Sequence, residues 1–175
     1  MVGLNGTTPP TPPTPETCEK PTISYQDGKL TFTCATEGAT CHYSITDDDI
    51  KAGSGNEVQL GVTYNISVYA TKEGCENSET ATATLCWIDE TPQMEGITTH
   101  VAQITARPVL VKTDNGLITV EGVDDQTNVR VYTTDGKLAG TTVSHNNVAS
   151  VAIGIQSGSI AIVKVGDKSV KVIMK

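Results

Sequence analysis

The sequence predicts an all-β protein, arranged as two small β-sandwiches in tandem after a Pro/Thr-rich tether. Apolar and polar residues alternate in short runs through residues 18–89 and again through residues 107–175, and Gly, Asn and Asp separate the runs. The chain of 175 residues is long for one small sandwich, and its seven aromatic residues leave little for one extended core. Two modest cores are therefore expected, with no room for crossover helices.

Residues 1–17 are predicted to be a tether. The segment "TTPPTPPTPETC" favours extended polyproline II structure and cannot form a packed core. "MVGLNG" lacks the apolar region of a signal peptide, and no apolar run approaches the roughly eighteen residues of a membrane span. We therefore expect an expressed fragment of a longer polypeptide, with a domain upstream of the tether and no direct insertion into a membrane.

Residues 18–89 are predicted to form the first module, with about six strands. Asp27-Gly28 joins two alternating runs in "PTISYQDGKLTFT", which is a strong signal of a two-residue hairpin. Alternation assigns the following residues to core faces: Leu30, Phe32 and Cys34; Cys41, Tyr43 and Ile45; Tyr64, Ile66, Val68 and Ala70; and Ala81, Ala83, Leu85 and Trp87.

Residues 90–106 show no strand alternation and are predicted to be a connector with a helical turn around Thr98 to Gln103. Residues 107–175 are predicted to form the second module. Its seven short strands are "RPVLVKT", "LITVEG", "NVRVYTT", "KLAGTTV", "NVASVAI", "SIAIVKV" and "SVKVIMK", separated by turn residues such as Asn115-Gly116 and Asp135-Gly136.

The net charge of −8 is unevenly distributed along the chain. Residues 17–89 carry four Lys and eleven acidic residues, whereas residues 107–175 carry eight basic and six acidic residues. Nucleic acids and anionic lipids require clustered Lys and Arg, so neither is expected as a partner of the first module. The lysines of "KVGDKSVKVIMK" are interpreted as the solvent face and edge of a terminal hairpin.

Three consecutive carboxylates occur in "SITDDDIKAGSG". A calcium loop of the EF-hand type that started at Asp47 would need Gly where Ala52 stands and Glu where Val58 stands, so this kind of site is excluded. Thr46 followed by Asp49 instead fits a capping pattern at a short helical turn. A loop metal site of another geometry is the alternative, and no metal or other cofactor is expected.

No catalytic motif is complete. "GIQSGS" has the wrong spacing for a nucleophile elbow and precedes a strand, so it is interpreted as a turn. Cys41 and His42 are neighbours on a strand and must point to opposite faces, so they cannot act as nucleophile and base. His42, His100 and His145 are expected to be solvated. The sequence therefore predicts a protein that is not an enzyme.

All five cysteines lie in the first module, and no C-x-x-C spacing occurs. Cys34 and Cys41 are predicted to face inward at the two ends of the corner "ATEGAT", where a disulfide between them is sterically feasible. They are the best pair, and an odd number of cysteines leaves at least one thiol unpaired.

Tyr69 is the one candidate ligand-binding residue. It alternates out of phase with the core of its strand and lies beside Asn65 and Ser67, which suits stacking against a sugar ring. The alternative is a cross-strand pair between Tyr69 and a threonine such as Thr82 or Thr84.

Two stretches resemble known families. Residues 18–89, with "PTISYQDGKLTFTC", "TYNISVYATKEG" and "TATATLCWID", resemble the chitobiase/β-hexosaminidase C-terminal-like modules of gut Bacteroides surface proteins, which are Ig-like sandwiches without catalytic residues. Residues 108–175, with "VRVYTTDGKLAG" and "IVKVGDKSVKVIMK", look like the C-terminal sorting-type domain of secreted Bacteroidetes proteins. The paired arrangement is similar to the tail that follows leucine-rich repeats in BspA-like proteins.

The resemblance implies a non-catalytic structural and targeting tail of a secreted or cell-surface protein. Such a tail spaces an upstream domain of the same polypeptide and serves export or attachment, with the secretion machinery or cell envelope as its partner. The alternative is an accessory module that binds polysaccharide on the face around Tyr69. The scarcity of aromatic residues outside the core faces favours the structural and targeting tail, because sugar-binding sites usually contain two or three stacked rings.

Overall fold

The computed structural model describes residues 15–26, 29–47, 63–89 and 106–175. These residues are all-β, as the sequence predicts, and no helix occurs among them. Their twelve strands pair antiparallel throughout. The strands are β1 (Thr22–Gln26), β2 (Lys29–Thr33), β3 (Thr40–Asp47), β4 (Thr63–Thr71), β5 (Ala81–Asp89), β6 (Ala106–Asp114), β7 (Leu117–Glu121), β8 (Asn128–Thr133), β9 (Leu138–Val143), β10 (Val148–Ala152), β11 (Ile160–Val165) and β12 (Lys168–Ile173).

One six-stranded sheet, in the order β10-β7-β6-β5-β4-β3, runs through both halves of the chain. The halves join where β5 pairs with β6, in a register that extends from Ala83↔Lys112 to Asp89↔Ala106. A two-stranded sheet, β1-β2, and a four-stranded sheet, β12-β11-β8-β9, complete the fold. The described strands therefore form three sheets, of which the largest is shared.

The two smaller sheets cover opposite faces of the shared sheet. Leu85 and Leu110 lie on one face, in the core formed with β1 and β2. Cys86 and Val109 lie on the other face, in the core formed with the four-stranded sheet. Successive residues of a strand point to opposite faces, so β5 and β6 each contribute to both cores.

The seven strands predicted for the second half are all present, as β6 to β12. Asn115 and Gly116 form the two-residue turn between β6 and β7, with φ of 46° and 76°. Positive φ at both central residues is the geometry that Asn-Gly favours in a hairpin, because it matches the twist of the paired strands. The turn residues therefore define this part of the topology.

The first half contains five strands among its described residues, where about six were expected. β1 and β2 pair as the predicted hairpin, with Gln26 opposite Lys29. The assignment of Tyr43 and Ile45 to the core was wrong, because their side chains are 63% and 41% exposed. Both residues lie on β3, which is the edge strand of the shared sheet, and so have a neighbouring strand on one side only.

Several sequence-based expectations lie wholly or largely outside the described residues. These are the polyproline structure of the tether over residues 1–14, the helical turn after Thr46 and Asp47, and the connector with its turn at Thr98 to Gln103. Thr17, the last residue assigned to the tether, forms a parallel bridge with Glu76. The chain is therefore attached to the first half from Thr17 onward.

Candidate functional site

A face rich in hydroxyl groups lies on the shared sheet beside the four-stranded sheet. The pairing of β3 with β4, of β4 with β5 and of β5 with β6 places the side chains of this face in rows that run across the strands. The first row contains Thr46, Asn65, Thr84 and Val111; the second contains Ser44, Ser67 and Thr82; and the third contains His42 and Tyr69. The sheet thus presents short polar side chains at regular spacing on β3, β4 and β5.

A cleft of about 270 Å³ lies between this hydroxyl face and the C-terminal strand β12. Its polar lining comes from the first two rows together with Thr113 and Lys175, and Val172 and Ile173 form an apolar wall. This volume is close to the lower end of ligand pockets, which is about 300 Å³. Because β12 belongs to the second half and the rows belong mainly to the first, the cleft requires both halves.

The threonines of the cleft differ in their hydrogen bonding. The Thr84 hydroxyl donates to Asn65 Oδ1 at 3.2 Å, and the Thr113 hydroxyl donates to the carbonyl of Ile173 at 2.8 Å. Thr82 Oγ1 is buried and has no hydrogen-bond partner among the described residues. An unpaired buried hydroxyl costs free energy, so Thr82 offers an unused donor and acceptor at this cleft.

Tyr69 stacks on His42 at the end of the same face. The ring centroids are 5.2 Å apart and the planes are inclined by 24°. His42 is directly opposite Tyr69 in the β3-β4 register, and its Nε2 lies 2.8 Å from Thr71 Oγ1. Tyr69 remains 38% exposed. The pair therefore forms a two-ring stack, the Tyr69-His42 platform, which continues the rows of hydroxyl groups.

The charge of the cleft is low. None of the described residues that line it has an acidic side chain, and its one cationic side chain is that of Lys175. A neutral ligand with several hydroxyl groups suits this lining better than an anion, which requires clustered cations. Chemically, the site can hydrogen-bond and stack. Its first two rows contain no carboxylate or imidazole that would activate a nucleophile, and the imidazole of the third row, His42, stacks on Tyr69.

Cys34 and Cys41, the predicted disulfide pair, are both thiols in the structure. Cys34 follows β2, and its Sγ donates to the carbonyl of Glu19 at 3.1 Å. Cys41 lies on β3 and packs against the core of the first half, on the face opposite His42, as the sequence predicts. The pairing of these two cysteines stays a prediction.

Within the part of the chain that the structure describes, no group of three His, Cys, Asp or Glu side chains has the geometry to hold a metal ion. The same residues include no helix with the length and apolar character needed to cross a bilayer.

A second depression, of about 310 Å³, lies on the opposite face of the shared sheet near Tyr25 and Arg107. Arg107 is already paired there, because its guanidinium donates to Asp124 Oδ1 at 2.6 Å. Lys112 and Glu121, on neighbouring strands, form another ion pair at 2.6 Å. These pairs compete with any charged ligand, so the cleft on the hydroxyl face is the stronger candidate.

Sequence reasoning identified Tyr69 but missed its partner His42 and the unpaired hydroxyl of Thr82. Alternation placed Tyr69 on the polar face, yet it could not show which residue of β3 lies opposite. The signal that identifies both residues is the register of β3, β4 and β5, which depends on long-range pairing.

In comparisons with known proteins, no protein-family model, no curated protein and no solved structure matched this chain.

Proposed function

We propose that this chain is a non-catalytic structural and targeting tail of a larger secreted or cell-surface protein. In this proposal its halves are two Ig-like β-sandwiches that space an upstream domain and serve export or attachment. The observation that carries the proposal is the β5-β6 pairing, which continues one sheet through both halves.

A spacer must keep a defined orientation. Domains joined by a small polar interface move relative to one another. Here the backbone hydrogen bonds between β5 and β6 join the halves. In addition, Cys86 of the first half is buried in the core of the second half, and Leu110 of the second half is buried in the core of the first. Bending at this junction would break backbone hydrogen bonds and expose apolar surface, so the geometry favours a stiff element over a flexible linker.

The test uses the full-length polypeptide in a Bacteroidetes host. We expect deletion of residues 15–175 to abolish surface display of the upstream domain, measured by protease shaving of intact cells and by fractionation. A second variant carries an unrelated β-sandwich of similar length in place of the tail. Display retained by the replacement would reject targeting and leave only spacing, whereas display unchanged by the deletion would reject the whole proposal.

A second candidate function, binding of a neutral carbohydrate, is favoured by one observation. The Tyr69-His42 platform adjoins a cleft that contains the unpaired Thr82 hydroxyl. Sugar rings present an apolar face for stacking and hydroxyl groups for hydrogen bonds, which these two features complement.

A glycan array followed by calorimetry tests the second candidate. Binding should fall at least tenfold in Tyr69→Ala and persist in Tyr43→Ala. Tyr43 is the matched control because it lies on the opposite face of the same edge, where it stacks on Phe32. An absence of binding across the array, or equal loss in both variants, would reject the carbohydrate site.

A further inference from the structure

Cys18 and Cys75 are brought together by a short backbone bridge between distant segments. Thr17 and Glu76 pair in parallel. The amide of Glu76 donates to the carbonyl of Glu16 at 2.9 Å, and the amide of Cys18 donates to the carbonyl of Glu76 at 3.0 Å. Cys18 and Cys75 flank the bridged residues, one on each segment.

Alternation along the two segments places both thiols on one side of this bridge. The side chains of Thr17 and Glu76 meet on the solvent side, where the Thr17 hydroxyl donates to Glu76 Oε2 at 3.4 Å. Their flanking residues Cys18 and Cys75 project the other way. Cys18 is only 4% exposed, and Cys75 is near enough to it to contribute to the raised pKa of the Cys18 thiol.

The surroundings favour a disulfide between Cys18 and Cys75 over one that includes the nearby thiol of Cys34. Cys34 is close enough to Cys18 to interact electrostatically, but its Sγ already donates to the carbonyl of Glu19. Burial raises the pKa of the Cys18 thiol, with Cys75 and Cys34 adding to the effect and Lys72 opposing it. Cys75 is half-buried and so is the more accessible of the two. An external disulfide would therefore react first at Cys75.

We propose that Cys18 and Cys75 form a disulfide that clasps the segment at Thr17 to the connection between β4 and β5. The oxidant is a small-molecule disulfide of the glutathione class. The Cys75 thiolate attacks one sulfur of this disulfide and releases a thiolate, which leaves a mixed disulfide on Cys75. Cys18 then loses its proton, attacks Cys75 Sγ and releases the second small thiolate. Two protein thiols are oxidised and one external disulfide is reduced to two thiols.

The clasp closes a long loop, from Cys18 to Cys75, around the first half. A disulfide that closes a long loop restricts the unfolded chain more than one that closes a short loop. Small sandwiches bury little surface, so such a restraint has a large effect on their stability.

Peptide mapping tests the proposal. The whole chain is incubated with reduced and oxidised glutathione, its remaining thiols are blocked, and it is cleaved after glutamate without reduction. A protease that cleaves after glutamate suits this sequence, because it leaves each of the five cysteines in a different peptide. The separating glutamates are Glu16, Glu19, Glu37, Glu57, Glu73, Glu76, Glu79 and Glu90. We expect a cross-linked peptide that contains Cys18 and Cys75 and lacks two hydrogen atoms relative to its reduced parts.

Oxidation should also raise the melting temperature by about 5–10 °C. Cys75→Ser should lose both the cross-link and this rise. Cys34→Ser is the matched control, because a serine hydroxyl still donates to the Glu19 carbonyl, and it should keep both. Free thiols at Cys18 and Cys75 after oxidation, or a cross-link from either of them to Cys34, would overturn the clasp. The mapping of the unsubstituted chain decides the matter even if Cys75→Ser does not fold.

Discussion

Leu85 of β5 lies directly opposite Leu110 of β6, and both side chains are buried in the core beneath β1 and β2. Leu110 is separated from Leu85 by the whole connector, yet it completes the core of the first half. One residue further along β5, Cys86 is buried in the core of the second half. The two halves are consequently coupled by packing as well as by the chain.

Cleavage between residues 90 and 105 should leave the two halves associated. A specific protease site placed in this connector would cut the covalent link, but the β5-β6 ladder and the shared cores would remain. We expect the two fragments to elute together in size-exclusion chromatography and to separate only in denaturant. Independent elution under native conditions would show that the connector alone holds the halves together.

A cavity in the second core should destabilise the first half. Ile118 is fully buried there, and Ile118→Ala should lower the free energy of unfolding by about 2–5 kcal/mol. Trp87 is the single tryptophan and packs against the first core, so its fluorescence reports the distant half. Urea titration should shift the Trp87 transition in Ile118→Ala and hardly at all in Leu138→Ala, since Leu138 is 51% exposed. An unshifted Trp87 transition in Ile118→Ala would mean independent unfolding.

Thr82→Val should be neutral or stabilising by up to about 1 kcal/mol, because valine has a similar shape and removes a buried hydroxyl without a partner. Thr84→Val is the matched control on the same strand. It removes the bond to Asn65 and should cost about 0.5–1.5 kcal/mol. Chemical denaturation measures both changes. A larger loss in Thr82→Val than in Thr84→Val would show that the Thr82 hydroxyl is already satisfied.

Gly122→Ala should destabilise the protein by about 2 kcal/mol more than Gly158→Ala. Both glycines have positive φ, of 88° and 84°. A Cβ atom at residue 122 would lie 2.6 Å from the carbonyl oxygen of Pro108, whereas at residue 158 it would meet no atom within 4 Å. The difference in the free energy of unfolding therefore isolates the steric contact from the backbone strain, and equal losses would contradict the close approach of residue 122 to β6.

The free energy of unfolding should fall between pH 9 and pH 11, because the buried thiol of Cys86 ionises over this range. Burial raises the pKa of this thiol from 9.0 to about 11. Below pH 9 the thiol is neutral in both states. As pH rises further, it ionises first in the unfolded chain, which favours unfolding by about 2–3 kcal/mol once the pH reaches 11. Urea titrations at several pH values should show a flatter profile for Cys86→Ala over this window. Parallel profiles for the two proteins would exclude Cys86 as the cause.

The sequence by itself determined the class of fold, because alternation and turn chemistry are local properties. All seven strands of the second half follow from runs of alternating residues, and Asn115-Gly116 specifies its hairpin through its backbone preference. The same alternation placed Tyr69 on the polar face and separated Cys41 from His42.

Only the tertiary structure decided which strands became neighbours. The β5-β6 pairing, the edge position of β3 that exposes Tyr43, and the stacking of His42 on Tyr69 all depend on contacts between residues far apart in the chain. The proximity of Cys18 and Cys75 is of the same kind, since it arises from one backbone bridge between remote segments. Local patterns record which face of a strand is apolar. The partner of that face is selected by packing and by the entropy of closing long loops, which involve the whole chain.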